Sequence, residues 1–265
     1  MKLEIKKSEN TKIFITSDTH YNHKNICSGE TEWDSSRHVR TFQTVTEMND
    51  LIVNSINSVV GENDILFHLG DWSFGGIEYI IEFRNRIKCK NVHLILGNHD
   101  QHILNNKDDI RNIFSSVHDG ICELSLSINN GKHIEKTRHR IVLCHYPIYS
   151  WHKMDSGIIH LYGHTHSREV FNENTKSANV GVDGNSYEPY DLLYLIDKLS
   201  THTIGHPIIV DDHHIPIQPI RIKYNGILNN YLGTAVSSDD EYYYAKFDFD
   251  KDKVIKVRKM NCTIL

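Results

Sequence analysis

The chain has 265 residues and a mass of 30.8 kDa, with 39% hydrophobic and 24% charged residues, which excludes a disordered segment and a disulfide-held mini-protein. Its 29 basic and 34 acidic residues leave a net charge of −5 and a pI near 6.4, which argues against a protein that binds mainly by neutralising nucleic-acid phosphates. Histidine is the outlier at 19 residues, and imidazole is the commonest metal ligand, so metal chemistry is the first expectation.

Ile13-Phe14-Ile15-Thr16-Ser17 is a short β-branched apolar run ended by Asp18, the pattern of a buried strand that delivers a polar group at its C-terminal end. Between residues 38 and 60, Val39, Phe42, Val45, Met48, Ile52, Ile56 and Val59 recur at steps of three and four, which predicts an amphipathic crossover helix. Ile65–Leu69 reads as a second strand, Ile77, Ile80, Ile81 and Ile87 as a helical face, and Val92–Leu96 as a third strand. This alternation predicts a βαβαβ start with a largely parallel sheet, hence an α/β fold. From residue 120 the style changes: Ile121 to Ile128 and the stretch through Arg140 flank Asn129-Asn130-Gly131, a hairpin signal. Ile141–His145 and Ile158–Tyr162 read as two further buried strands, and residues 189–199 as a helix opened by Pro189. Residues 1–200 are therefore expected to form one α/β domain.

Beyond Ser200, prolines among β-branched residues give way to strict alternation, with Tyr243, Ala245, Phe247 and Phe249 on one face and charged or polar residues between them. Asp250-Lys251-Asp252 is expected to turn that strand back on itself. Residues 201–265 read as a small β annex with eight basic and eight acidic residues, suited to binding a partner by sheet addition or to joining copies of the chain as a homo-oligomer. The five cysteines, Cys27, Cys89, Cys122, Cys144 and Cys262, are never closer than 22 residues, so neither a zinc knuckle nor a disulfide ladder is expected. Cys144 beside His145 is no dyad, because adjacent strand residues face opposite ways. The N-terminus lacks an apolar signal core and no run reaches the roughly 18 apolar residues of a membrane span, so the expected compartment is the cytoplasm.

Five segments place ligand-type residues just after an expected strand: Asp18-Thr19-His20, Gly70-Asp71, Gly97-Asn98-His99-Asp100, Cys144-His145 and Gly163-His164-Thr165-His166. They follow one another at 53, 27, 47 and 19 residues, and all are expected on one edge of the sheet, where such sheets bind ligands. The order DxH, GD, GNHD, H, GHxH resembles the calcineurin-like metallophosphoesterase superfamily over about residues 11–199. The likeness extends to its compact bacterial and phage members through Thr19–Ile26, His68–Asp71 and Asn179–Asp183.

That resemblance implies two mixed β-sheets packed as a sandwich flanked by helices. It implies that Asp18, His20, Asp71 and His166 bind one divalent ion while Asp71, Asn98, His145 and His164 bind a second, the Asp71 carboxylate bridging. Imidazole, carboxylate and amide oxygen without thiolate suit Mn²⁺ first, and also Fe²⁺, Zn²⁺ or Ni²⁺. His99 is then a general acid steadied by Asp100. His23, Arg40 and Trp151 are candidate substrate residues, Arg40 for phosphate and Trp151 for stacking a base. Phe74 stands where purple acid phosphatases need a tyrosine, and Ser73-Phe74-Gly75-Gly76 replaces the arginine-bearing element of serine/threonine protein phosphatases. The tail histidines, His213 and His214 among them, match no motif.

The implied activity is hydrolysis of a phosphate ester, with a diester of nucleotide type favoured and a metal-bridged hydroxide as the nucleophile. A broad phosphomonoesterase, or an interaction scaffold on the same fold, are the alternatives.

Overall fold

The computed structural model describes residues 2–7, 10–31, 39–106, 110–128, 137–172, 175–202, 215–225, 230–238, 242–247, 250–258 and 262–264. The chain divides into two compact units, Met1–His206 and Pro207–Leu265.

The first unit holds two mixed sheets. One contains β2 (Ile13–Thr16), β3 (Ile65–His68), β4 (Asn91–Ile95) and β5 (Ser116–His118), all parallel, with β10 (Tyr190–Asp191) added antiparallel to β2. The other runs in the order β1 (Lys2–Lys7), β6 (Cys122–Ile128), β7 (Thr137–Leu143), β8 (Ile159–Tyr162) and β9 (Ser177–Asn179). Alternation along β2 explains the layering: Phe14 joins the core under the helices, whereas Ile13 and Ile15 join the core between the sheets with Leu124, Leu143 and Leu161. A strand covered on both faces reads as a continuous apolar run, which is why β2 and β3 were conspicuous in the sequence.

The helices are α1 (Val45–Val59), α2 (Ile77–Arg86), α3 (Gln101–Asn105) and α4 (Leu192–Ser200). The expected helix of residues 38–60 begins only at Val45, because the Thr44 hydroxyl accepts from Glu47 N at 3.2 Å while Glu47 Oε2 accepts from Gln43 N at 3.0 Å. This reciprocal cap fixes the start whatever the apolar spacing upstream suggests. Met48, Ile52 and Ile56 form its buried stripe. On α2, Ile80 and Phe83 are buried but Ile81 is 39% exposed, so the inward face follows Ile77–Ile80–Phe83 instead. The last helix starts at Leu192, not at Pro189: the Asp191 carboxylate caps Leu193 N and Tyr194 N at 2.8 and 3.1 Å, while Tyr190 pairs with Ile15.

β6 and β7 are antiparallel as expected, and the Asn129–Gly131 turn lies outside the described residues. The stretch through Arg140 and the run from Ile141 are one strand, which leaves Cys144 and His145 just past its end. Sequence periodicity missed β1 and the two- and three-residue strands β5, β9 and β10. Four cysteines, Cys27, Cys89, Cys122 and Cys144, are buried free thiols, and no helix among the described residues is long and apolar enough to cross a membrane.

The second unit is an antiparallel sheet in the order β14 (Asp250–Arg258), β13 (Tyr242–Phe247), β12 (Asn230–Ser238), β11 (Ile215–Asn225), β15 (Cys262–Ile264). Phe247 pairs with Asp250, so Asp250–Asp252 lies inside a strand and is not the expected turn. Asp favours turns without requiring one, and the Phe247–Asp250 pairing sets the reversal ahead of the charged triplet. His213 and His214 fall outside the described residues.

Buried histidines set an acid limit on stability. His160 in β8 accepts from Ile148 N at 3.2 Å through Nε2 and faces Val142 O at 3.1 Å through Nδ1, and burial lowers its pKa from 6.5 to about 4. Below 6.5 the unfolded chain takes up a proton that the folded imidazole refuses until about 4, so acidification favours unfolding. Between about pH 7 and pH 5, wild type should lose roughly 2 kcal/mol more stability than His160→Asn. Parallel losses in denaturant titrations of the two proteins would refute this.

Candidate metal centre

The five ligand segments do converge, but from two sheets and not from one edge. Asp18, Asp71 and Asn98 follow β2, β3 and β4, whereas His145 and His164 follow β7 and β8. The C-terminal ends of both sheets meet here, tied by Val182 N donating to Ser17 O at 3.1 Å and by the parallel bridge between Ser17 and Gly181.

Backbone bonds lace the first two loops. Asp18 N donates to Gly70 O, His20 N to Asp71 O and Tyr21 N to Trp72 O, at 3.0, 3.0 and 3.2 Å. Asp18, His20, Asp71, His164 and His166 all have positive φ, from 47° to 68°. Each such residue costs of order 1–3 kcal/mol and persists only where its surroundings enforce it, and that is why such strain gathers at functional sites. Gly70, at φ 94°, is the residue type that tolerates the sharp exit from β3. At Gly97 the need is space, since a Cβ would lie 2.6 Å from Asp71 N and 2.9 Å from His145 Cε1.

Beneath the loops, His68 accepts from Gly70 N at 3.2 Å and meets Thr19 Oγ1 at 2.9 Å, while Thr19 Oγ1 donates to Trp72 O at 2.7 Å. With its hydroxyl hydrogen on Trp72, Thr19 can only accept from His68, which fixes that imidazole as the neutral Nε2–H form. Burial lowers the His68 pKa to about 3, so this strut keeps its tautomer at neutral pH.

The side chains present electron pairs to one another. His145 Nδ1 donates to Leu69 O at 2.7 Å, which leaves a lone pair on Nε2. Facing that lone pair are Asn98 Oδ1 at 3.0 Å, His164 Nδ1 at 3.2 Å and Asp71 Oδ2 at 3.4 Å. His166 Nδ1 donates to Asp183 Oδ2 at 2.9 Å, and its Nε2 lies 3.1 Å from His20 Nε2. Both Asp18 oxygens lie within 3.0 Å of His164 N, and burial pushes this carboxyl up to about 7. Burial likewise holds His20 well below its usual range, and His145 below it. Buried carboxylates and imidazole lone pairs that converge without enough donors fit a bound cation. Three sets of ligand atoms each fall within 4.8 Å of one another: Asp18, His20, His166; His20, Asp71, His99; and Asp71, His145, His164.

Four expected site residues have other work. Asp100 does not steady His99: its buried carboxylate accepts from Asp71 N, Trp72 N and Gly97 N at 2.8, 3.0 and 2.8 Å, because three backbone donors outcompete a solvent-facing ring. His99 itself is exposed, its ring 5.2 Å from that of His20, while its backbone N–H donates to Asp71 Oδ1 at 2.9 Å. Arg40 is buried, with its guanidinium donors already engaged. It forks onto Asp183 at 2.8 and 2.9 Å, and donates to the carbonyls of Thr19 and Asp18. His23 packs behind His20, its Nδ1 3.3 Å from that of His20 and its ring stacked 3.9 Å from Phe74. Trp151 is buried with Val142 and Met154, only 8% exposed, and donates to Ile158 O at 2.7 Å.

Sequence reasoning gave Asp183 no role, although it orients His166 and neutralises Arg40. Burial opposes its ionisation, but Arg40 and His166 hold its carboxyl well below the usual range. Its only signal was a place at the end of the Asn179–Asp183 stretch.

The model of the calcineurin-like phosphoesterase family matches residues 11–174. An uncharacterized protein of Methanocaldococcus jannaschii, MJ1445, is 29% identical over 199 residues, which are 71% of this chain and 92% of that protein. The gene 66 protein of Mycobacterium phage D29 is 28% identical over 193 residues, covering 64% of this chain and 87% of its own length. A solved structure of a protein of unknown function, AQ665 from Aquifex aeolicus, aligns over 72% of this chain and 100% of its own with a TM-score of 0.48 and 22% identity.

Proposed function

The chain belongs to the calcineurin-like phosphoesterase family of metal-dependent phosphate-ester hydrolases, and from that membership we propose that it cleaves phosphodiesters of nucleotide type at a centre of two divalent cations. The observation that carries the two-cation reading is the Asp71 carboxylate. Oδ1 is pinned by the His99 amide, and Oδ2 lies 3.4 Å from His20 Nε2 and 3.4 Å from His145 Nε2. One oxygen thus faces both ligand groups, the position a shared carboxylate needs. In this assignment Asp18, His20, Asp71 and His166 hold one ion and Asp71, Asn98, His145 and His164 the other, with Mn²⁺ as the expected metal. When bound, two divalent ions would supply Lewis acidity toward the phosphoryl oxygens and would acidify a water molecule.

The chain's own residues do the rest. Asp18 and Asp71 bring two negative charges to a set otherwise made of imidazole and amide, fewer than the four positive charges of two divalent ions, so the site attracts an anion. His99, exposed at the rim, donates a proton to the departing oxygen. A preference for diesters is supported by exposed aromatic rings at two parts of the rim. Phe74, 38% exposed, lies 5.6 Å from His99, and Tyr146, 45% exposed, lies 4.8 Å from His164. A diester carries an organic group on either side of phosphorus, and each ring offers one of them an apolar surface.

Metal-reconstituted protein assayed on bis(nitrophenyl) phosphate beside nitrophenyl phosphate tests this. Faster turnover of the diester is expected. Faster turnover of the monoester would establish a phosphomonoesterase, and no turnover of either would establish a scaffold.

A further inference from the structure

A cleft of about 420 Å³ opens beside His166, lined by Arg40, Arg168, Asp183, Ser186 and Tyr187 among others. Its size falls within the ~300–1,000 Å³ of small-molecule sites and exceeds what one phosphoryl group fills. Its charges do not cancel. Arg40 is matched by Asp183, whereas Arg168 is exposed and makes no ion pair or hydrogen bond among the described residues. Two consecutive non-glycine wall residues, Ser186 and Tyr187, stand at φ 51° and 67°, a conformation held in part by Tyr187 N donating to Val182 O at 3.0 Å. Strain of this kind is retained where the shape of a wall matters. The Tyr187 ring is already packed, with Arg40 5.6 Å from its centroid and Phe42 at 5.3 Å, so recognition in this cleft is ionic and not by stacking.

We infer that the cleft receives a second phosphate carried by the substrate, with Arg168 as its anchor and Ser186 as a neutral hydroxyl donor beside it. A guanidinium fork matches two phosphate oxygens at once, and the cleft adjoins a ligand residue of the proposed metal centre. The second phosphate has two chemical sources: the next phosphate across a nucleoside sugar, or the neighbour within a pyrophosphate. The inference rests on the phosphodiesterase reading only for what happens at the first phosphate.

Binding separates the two. Calorimetric titration of the metal-loaded protein would use thymidine monophosphate, thymidine bisphosphate with one phosphate on each sugar hydroxyl, and thymidine diphosphate. Wild type should bind at least one of the doubly phosphorylated probes about 10–100-fold more tightly than the monophosphate, the range of a charge-assisted hydrogen bond to phosphate. A bisphosphate preference identifies a nucleotide chain, and a diphosphate preference identifies a pyrophosphate. Arg168→Ala should remove most of this advantage and Arg168→Lys should restore part of it. Arg168 is exposed, so neither variant should unfold the chain, and circular dichroism on the same samples verifies this. An unchanged advantage in Arg168→Ala, or none in wild type, would overturn the assignment. Failure of the diester assay with the binding advantage intact would instead remove the phosphodiesterase reading alone.

Discussion

Asp71→Asn should leave a folded protein that holds neither cation firmly. Asparagine keeps the shape of the side chain, can still accept from the His99 amide through Oδ1, and is among the few residues that tolerate the positive φ of 56° at this position. What it removes is the charge and the second oxygen, the atom 3.4 Å from both His20 and His145. Elemental analysis of the purified variant should show both metals depleted together, whereas His20→Ala should lose mainly one. The rate should fall by at least the ~10²–10⁴-fold typical of one catalytic group. Full occupancy of two metals in Asp71→Asn would sink the bridging assignment.

The second large effect concerns His99. Its backbone N–H, not its ring, anchors Asp71, so His99→Ala keeps that bond and both metals. If the imidazole protonates the leaving group, the variant should lose about 10²–10⁴-fold on nucleoside or alkyl esters. The loss should shrink on a nitrophenyl ester, whose phenolate departs without a proton. Equal losses on both substrates would mean that the ring stabilises phosphoryl charge, and loss of metal would make it a ligand, a role its place beside His20 and Asp71 permits. Asp100→Asn provides the contrast. It disturbs a carboxylate that takes three backbone donors, so it should lower the melting temperature without changing the dependence on leaving group.

The parallel strands and the ligand segments were legible because a doubly covered strand reads as an unbroken apolar run and because polar groups cluster where it ends. The contribution of two sheets was not legible from periodicity, since nothing local distinguishes the run before His145 from the run before Asp71. Arg40, Trp151 and Asp100 each have partners in the structure that their residue types do not announce. A residue type reports what a side chain can do, while its partners decide what it does: Asp183 for Arg40 and the amides of Asp71 and Trp72 for Asp100 lie far along the chain, and Ile158 O for Trp151 lies seven residues on but is set by the fold of the loop between them. Asp183 was invisible as an orienting group because nothing in the sequence joins it to His166, 17 residues earlier.

The lacing of the loop after β2 to the loop after β3 bears on how the centre moves. The amide hydrogens of Asp18, His20 and Tyr21 are held by carbonyls of the neighbouring loop, and those of Asp71 and Trp72 by Asp100. None of these loops can open without releasing the next, so their amides should show one common free energy of opening in hydrogen exchange, as a single unit. Such a cage should adapt poorly to an ion of the wrong radius, so that discrimination among divalent cations would come from a fixed spacing of donors, with little contribution from loops closing around whichever ion arrives.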